Sequence, residues 1–324
     1  MDIAQLFFLN LLSPAVLFFA LGISAGFMKS DLKVPEAIGQ LLSIYLMMAI
    51  GFKGGASLAS AGSPSVQMIL ALVAGLAMSA LMPLLANGLL RRTTQLDPAT
   101  RAAIAGHYGS VSIVTFVTAT GFLTAFGTHY EGYMVAVLAL MEGPAIVTAL
   151  ILARRAKLDP NTPVISRELF ANGPIYLLVG AFLIGLITGK PGLDKLEGFL
   201  VTPFQGILAL FLLDMGLAVS RRLSEMKAFS VPLVLFGLYM PLIGAAIGLA
   251  VALAIGLDAG TGALLAVLGA SASYIAVPAA MRLALPEAKA AVYLPLSLGV
   301  TFPFNIVVGI PVYVALAEFI LRRV

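Results

Sequence analysis

Long runs of apolar residues alternate with short polar segments along the whole chain. Each run is close to the roughly 20 residues that a helix needs to cross a bilayer. The runs are apolar on every side, whereas the strands of a membrane barrel alternate apolar and polar positions. The pattern therefore predicts an all-α polytopic membrane protein. We expect ten spans, near residues 9–28, 34–58, 67–90, 99–121, 132–153, 173–189, 198–219, 230–255, 259–281 and 289–320.

The composition excludes most other protein classes. Of the 324 residues, 60% are hydrophobic and only 10% are charged, and the mean hydropathy is +1.05. Soluble proteins carry roughly 25% charged residues, so this chain lacks the residues for a solvated surface. Cysteine is absent, which excludes disulfides and thiolate metal sites. The apolar N-terminus has no basic segment before it, and we expect it to be the first span and not a removed signal peptide.

The basic residues predict the orientation in the membrane. Segments after the odd-numbered spans hold fourteen of the 19 Lys and Arg residues, and segments on the other side hold four. The fourteen are Lys29, Lys33, Arg91, Arg92, Arg101, Arg154, Arg155, Lys157, Arg167, Arg221, Arg222, Lys227, Arg282 and Lys289. Cytoplasmic loops collect such residues, so we expect both termini outside the cytoplasm. The same rule explains the net charge of +4 without a nucleic-acid partner.

The two halves of the chain repeat several motifs in the same order, at an offset of about 160 residues. Ser110–Ser112 in span 4 corresponds to Ser271–Ser273 in span 9, and Glu142–Pro144 corresponds to Thr301–Pro303. Five spans per half is an odd number, so the second repeat must be inverted. We predict a first repeat at 1–153, a cytoplasmic connector at 154–172 and a second repeat at 173–324. Inverted repeats with discontinuous helices are typical of secondary transporters, which bind substrate at the midplane.

Spans 4 and 9 each carry a glycine before two hydroxyl residues at positions i and i+2. Residues two apart do not share a helix face, so this spacing favours an unwound turn. The N–H groups of a half-helix N-terminus, helped by hydroxyls, can bind an anion there. The alternative is tight helix packing through small residues, but the symmetric pairing favours the anion site. The predicted substrate-binding residues are Gly109, Ser110, Ser112, Ser271, Ser273 and Tyr274.

Spans 5 and 10 supply candidate cation ligands. Glu142 lies beside the break at Gly143 and Pro144, and proline frees a backbone carbonyl. Such oxygens suit a small hard cation such as Na⁺. The predicted cation-binding residues are Glu142, Thr148, Thr301 and Asn305. The alternative is that Glu142 forms a structural ion pair with Lys53 or Arg282.

Three further polar residues lie inside the apolar runs. Lys53 either extends its ammonium to the membrane surface or places a permanent positive charge near the ion sites. Asp214 has a coupling-ion role or a role in a scaffold ion pair. His107 is a packing residue or a proton-coupling group. It has no second His or Cys nearby, so we expect no transition metal.

The motifs of an enzyme are missing from the sequence. There is no recognisable intramembrane pair of catalytic aspartates. There is also no Gly-rich loop ending in Lys-Ser or Lys-Thr, which ATP-driven transport would need. We expect neither catalysis nor an organic cofactor.

Seven ordered motifs resemble the sodium-dependent bicarbonate transporter family of cyanobacteria. They are Lys33–Glu36, Ile50–Gly55, Gly109–Ser112, Pro144–Ala149, Asp214–Gly216, Ser271–Ser273 and Gly309–Pro311. The resemblance implies ten spans in a five-plus-five inverted repeat, a homotrimer, elevator-like alternating access and coupled uptake of Na⁺ and bicarbonate. It also implies that the two hydroxyl-rich breaks hold these ions.

The chain departs from this family at three places. Tyr274 stands where the cyanobacterial members have Asp, Lys53 stands where they have a neutral residue, and the short connector replaces a long cytoplasmic insert that bears on regulation by a PII-like protein. The leading hypothesis is Na⁺-coupled symport of bicarbonate in a bacterial inner membrane. Lys53 and Tyr274 also keep open a Na⁺- or H⁺-coupled carrier of a small organic anion. A membrane receptor or scaffold that transports nothing is the third possibility.

Overall fold

The computed structural model describes residues 12, 14–60, 64–155, 173–223, 229–274, 277, 278, 281, 285 and 287–321. Over these residues the regular structure is helical, with no strand. The helices are α1 Pro14–Phe27, α2 Glu36–Ser60, α3 Val66–Thr93, α4 Pro98–His107, α5 Ile113–Ala125, α6 Met134–Arg155, α7 Gly173–Leu196, α8 Phe204–Leu223, α9 Val231–Ala254, α10 Ala259–Ala270 and α11 Ala290–Leu321. Several predicted features lie outside the described residues: the start of span 1, connector residues 156–172, Lys227, residues 275, 276, 279 and 280 of span 9, and Arg282.

Helical structure is what apolar runs must adopt in lipid, because no water is present to satisfy backbone N–H and C=O groups. Six of the described helices (α2, α3, α6, α8, α9 and α11) are long and apolar enough to cross a membrane. The described helices α1, α5 and α10 are apolar but shorter. The prediction of a multi-pass helical protein is confirmed, while ten spans in an inverted repeat remain a prediction.

Two helix pairs approach each other closely through glycines. α1 packs along α8, and α2 packs along α7. A Cβ atom on Gly22 would lie 2.2 Å from a main-chain oxygen of α8, and one on Gly216 would lie 2.2 Å from a main-chain oxygen of α1. In the second pair, Cβ atoms on Gly55 and Gly185 would lie 1.9 Å and 2.1 Å from oxygens of the facing helix. Only glycine permits this approach, which is common between membrane helices.

The remaining helices form a second set of contacts. α3 packs on α6, and α10 packs on both α9 and α11. The contact between α3 and α6 includes the buried Ser79. Its hydroxyl donates to the carbonyl of Met141 and accepts from the N–H of Ala145 at 3.1 Å. Ser79 thus bridges the hydrogen-bond ladder of α6 beside Pro144, where the helix is weakened.

α4 and α10 begin with the same cap. The carboxylate of Asp97 accepts from the N–H of Thr100 at 2.8 Å, and the carboxylate of Asp258 accepts from the N–H of Thr261 at 3.0 Å. The two aspartates are 161 positions apart. Such caps satisfy N–H groups that have no partner within the helix. Both helices therefore start at a fixed point of the chain.

The threonines of these caps also hold the segments before α6 and α11. The hydroxyl of Thr100 accepts from the N–H of Lys289, and that of Thr261 accepts from the N–H of Glu131, both at 3.0 Å. The Lys289 ammonium lies 3.6 Å from the Asp97 carboxylate. Partial burial alone would raise the pKa of Asp97, but the Thr100 hydrogen bonds and Lys289 outweigh it and hold the pKa below its ordinary value.

Candidate ion and substrate site

Two helix breaks lie where the sequence predicts them. α4 ends at His107 and α5 begins at Ile113, while α10 ends at Ala270. Residues 108–112 and 271–274 are not helical. Ser112 has φ −104° and ψ 109°, and Ser271 has φ −72° and ψ 157°, which are extended conformations. Each break contains two of the predicted serines.

The two breaks contact each other directly. The N–H of Ser273 donates to the carbonyl of His107 at 2.9 Å. In return, Nδ1 of His107 forms a short hydrogen bond to the carbonyl of Ser273. A carbonyl oxygen only accepts, so Nδ1 must carry the hydrogen. His107 is fully buried, and its role in the structure is to hold the breaks together.

One serine of each break, Ser112 and Ser273, accepts a hydrogen bond from a backbone N–H further along the chain. Ser112 caps α5 by accepting from the N–H of Thr115 at 3.1 Å and from its hydroxyl at 2.9 Å. Ser273 accepts from the N–H of Val277 at 3.4 Å. A helix N-terminus presents unpaired N–H groups and a partial positive charge. Tyr274 follows Ser273, and its ring lies edge-on to Phe302 of α11 at 5.2 Å between centroids.

Glu142 attaches α6 to the first break. The Ser110 hydroxyl donates to Oε2 of Glu142 at 2.7 Å. Glu142 is buried at 2% exposure, and among the described residues no Lys, Arg or His forms an ion pair with it. The alternative pairing with Lys53 is therefore not present. A buried carboxylate without an ion-pair partner can bind a hard cation through its oxygen atoms.

α11 contributes to both breaks. The hydroxyl of Thr301 donates to the carbonyl of Gly237 at 2.7 Å, so the hydroxyl of Tyr108 in the first break donates to Thr301 at 2.6 Å. The Asn305 amide donates to the carbonyl of Ala270, the last residue of α10, at 2.8 Å. Tyr108 was not predicted as a site residue. The sequence feature that points to Tyr108 is its position next to Gly109 inside an apolar run.

Residues 14–318 match the family model described as the Na⁺-dependent bicarbonate transporter superfamily. The match covers nearly the whole described chain. This protein belongs to the Na⁺-dependent bicarbonate transporter superfamily. Membership confirms the resemblance noted from the sequence, and because the superfamily consists of transporters the protein is not an enzyme. No curated protein gives a significant match.

Within this transporter, the side chains of four predicted residues make contacts other than those that join the two breaks. Ser271 donates to the carbonyl of Val267 in its own helix at 2.6 Å. Thr148 donates to the carbonyl of Ala80 in α3 at 3.0 Å. An oxygen of Asp214 lies against Gly39 of α2, and the Lys53 ammonium lies 4.8 Å from the centre of the Phe204 ring.

The described part of the transporter contains no group of three or more His, Asp or Glu side chains that could hold a metal ion. Cysteine is absent from the sequence. The Glu142 carboxylate and the Ser110 hydroxyl beside it are oxygen ligands, which fit an alkali cation better than a transition metal that prefers nitrogen and sulfur ligands.

Proposed function

We propose that the protein is a secondary active transporter that couples Na⁺ entry to bicarbonate uptake across a bacterial inner membrane. One observation carries the proposal: the hydrogen bonds between His107 and Ser273 bring two broken helices together. This arrangement is typical of transporter sites at the interface of inverted repeats. Membership of the superfamily supports both Na⁺ and bicarbonate as transported species.

Bicarbonate is bound between the N-terminus of α5, which follows the first break, and Ser273 of the second break. Ser112 and Ser273 use their oxygen atoms to accept from helix N–H groups, and their own hydroxyl hydrogens are left to donate. The N–H groups in the first turn of α5 add further donors. Ser110 and Ser271 differ, because they donate to Glu142 and Val267. We therefore assign the anion contacts to Ser112 and Ser273, with Tyr274 beside them. Gly109 instead packs against Pro83 of α3.

Sodium is bound at Glu142, next to the first break. Ser110 links the carboxylate of Glu142 to the break, so a cation at Glu142 stabilises the break in the conformation that holds the anion. Thr301 contributes through Tyr108, which lies in the same break. Coupling of this kind is reciprocal, so bicarbonate also raises the affinity for Na⁺.

The helix contacts support an inverted repeat of residues 1–153 and 173–324. A shift of about 160 positions maps α1 onto α7 and α2 onto α8, so it converts the α1–α8 contact into the α2–α7 contact. The same shift maps the cap at Asp97 onto the cap at Asp258. We propose that α1, α2, α7 and α8 form a scaffold and that the remaining helices carry the ions across the membrane as an elevator. A homotrimer, with both termini outside the cytoplasm, completes this proposal.

Uptake by the purified protein in proteoliposomes tests the proposal. Radiolabelled bicarbonate, formate, acetate and lactate are offered with an inward gradient of Na⁺, with choline in its place, or with choline and an inward H⁺ gradient. We expect bicarbonate to accumulate with Na⁺ only, and a Na⁺ ionophore to abolish accumulation. Accumulation of a carboxylate instead of bicarbonate would assign the protein as an organic-anion carrier. No accumulation of any solute would support a receptor or scaffold.

A further inference from the structure

A cavity of about 410 Å³ has walls from α2, α5 and α7 together with the ends of α6 and α8. Its lining includes the buried residues Ile50 and Phe116 and the exposed residues His129, Lys190 and Asp194. The exposed residues mark the mouth of the cavity. They belong to segments that the distribution of basic residues assigns to the outside of the cell.

Lys53 supplies the charge inside this cavity. Its side chain is partly buried, and its ammonium lies over the ring of Phe204, which also lines the cavity. This cation–π contact fixes the position of the ammonium. Among the described residues, no carboxylate lies within ion-pairing distance of Lys53. A partly buried cation without an anionic partner is unfavourable inside a membrane protein, and an anion in the cavity would remove this penalty.

The other charged groups of the cavity lie at its mouth. Lys190 and Asp194 are four positions apart on α7 and carry opposite charges, and His129 lies beside Glu131 at 3.5 Å. Among the residues that line the cavity, the charges of Lys190 and Asp194 cancel, while Glu131 is not part of the lining. Lys53, which lies deeper, therefore gives the cavity its net attraction for anions.

The cavity leads toward the broken helices. Phe116 and Thr120 of α5 line it, and Phe116 is four residues after Ser112. Four residues correspond to about 6 Å along an α-helix. An anion beside Lys53 is thus positioned between the outer surface and the N-terminus of α5.

We propose that this cavity is an anion-binding antechamber in which Lys53 holds a small monoanion, such as bicarbonate or a short carboxylate, before the anion reaches the helix breaks. The identity of the anion rests on the proposed function, whereas the binding site rests on Lys53 and the cavity. The antechamber raises the local concentration of the substrate at the site and does not take part in cation binding.

A single-tryptophan reporter tests binding without transport. The chain has no Trp, so Phe204→Trp places one fluorophore beside Lys53. Iodide should quench this fluorophore with saturation, and bicarbonate should compete with iodide. Adding Lys53→Gln should reduce quenching to a linear, collisional dependence on iodide, while Lys53→Arg should preserve saturation. Linear quenching in the Phe204→Trp protein itself, or saturation that survives Lys53→Gln, would overturn the proposal.

Transport kinetics give a second, independent test. Lys53→Gln should raise the KM for bicarbonate by ~10-fold at low ionic strength while kcat stays within about twofold. Lys53→Arg should restore the KM, and the control Lys29→Gln, on the opposite side of the membrane, should match the wild type. An unchanged KM in Lys53→Gln would contradict the antechamber. If no anion is transported but iodide quenching is saturable and requires Lys53, the proposed function fails and the antechamber stands.

Discussion

The N–H of Ser273 donates to the carbonyl of His107 at 2.9 Å, and the His107 ring bonds back to the Ser273 carbonyl across 166 positions of sequence. A helix end leaves backbone groups without partners inside the helix. In this protein each break supplies partners for the other. The breaks therefore form one unit, and neither can unwind further without exposing the polar backbone of the other to the membrane interior.

Removal of the His107 side chain should destabilise the protein. His107→Ala leaves the buried carbonyl of Ser273 without the donor that the His107 ring supplies, and an unsatisfied group of this kind costs about 1–3 kcal/mol. His107→Asn supplies a shorter N–H donor and should recover part of the loss. Thermal unfolding of the two variants in detergent measures the difference. Equal melting temperatures for His107→Ala and the wild type would show that the bond is not important.

The four serines of the breaks should fall into two classes. Ser112→Ala and Ser273→Ala each remove a hydroxyl that can donate to bicarbonate, and a hydrogen bond to a charged group is worth about 1.5–3 kcal/mol. The KM for bicarbonate should rise by ~10-fold or more. Ser271→Ala is the matched control, because that hydroxyl is used within α10. A KM in Ser271→Ala as high as in Ser273→Ala would argue against this assignment.

Glu142 should determine the response to Na⁺. Glu142→Gln keeps an oxygen that accepts from Ser110 but removes the negative charge, so the Na⁺ concentration for half-maximal uptake should rise by at least ~10-fold, since 1.4 kcal/mol corresponds to a factor of ten. Ser110→Ala should have a smaller effect in the same direction. A Na⁺ titration of uptake at saturating bicarbonate measures this concentration for each variant. The same Na⁺ dependence in Glu142→Gln and the wild type would place the cation elsewhere.

The contact between α1 and α8 should be sensitive to a single methyl group. Gly216→Ala places a Cβ 2.2 Å from a main-chain oxygen, and overpacking of this kind costs about 1–3 kcal/mol. Gly206→Ala on the same helix is the control, because nothing lies within 4 Å of its added Cβ. Thermal unfolding should show a lower melting temperature for Gly216→Ala only. Equal melting temperatures for the two variants would contradict the close approach of α1 and α8.

The cap at Asp97 should give a stability effect that depends on pH. The pKa of Asp97 is lowered from its ordinary value of 3.8, so the contribution of its charge to folding is present above that value and is lost as the pH falls below it. Asp97→Asn keeps a capping oxygen but loses the attraction to Lys289, an effect of about 0.2–1 kcal/mol for an exposed pair. The melting temperatures of Asp97→Asn and the wild type should differ at pH 7 and converge in acid. A constant difference at all pH values would contradict this explanation.

The sequence alone predicts the helical class, the approximate position of each apolar run and the breaks at Ser110–Ser112 and Ser271–Ser273. Composition predicts the apolar helices, and the i, i+2 spacing of hydroxyl residues predicts the breaks, because both signals are local in the sequence. The caps at Asp97 and Asp258 are also readable from the sequence, because both aspartates precede a Thr by three positions.

The partners of the polar side chains could not be predicted in the same way. The bond between Ser110 and Glu142 depends on which faces of α6 and the first break are opposed, and apolar-all-round helices carry no periodic signal of their buried face. Thr148 illustrates this. It is six residues after Glu142, about 240° around a helix, and its hydroxyl contacts α3.

A structure determined with Na⁺ and bicarbonate tests the central claim most directly. The account predicts a planar anion between Ser112 and Ser273, within hydrogen-bonding distance of the first N–H groups of α5, and a cation in contact with the Glu142 carboxylate. An anion bound elsewhere, with the breaks at 108–112 and 271–274 contacting only protein, would contradict it.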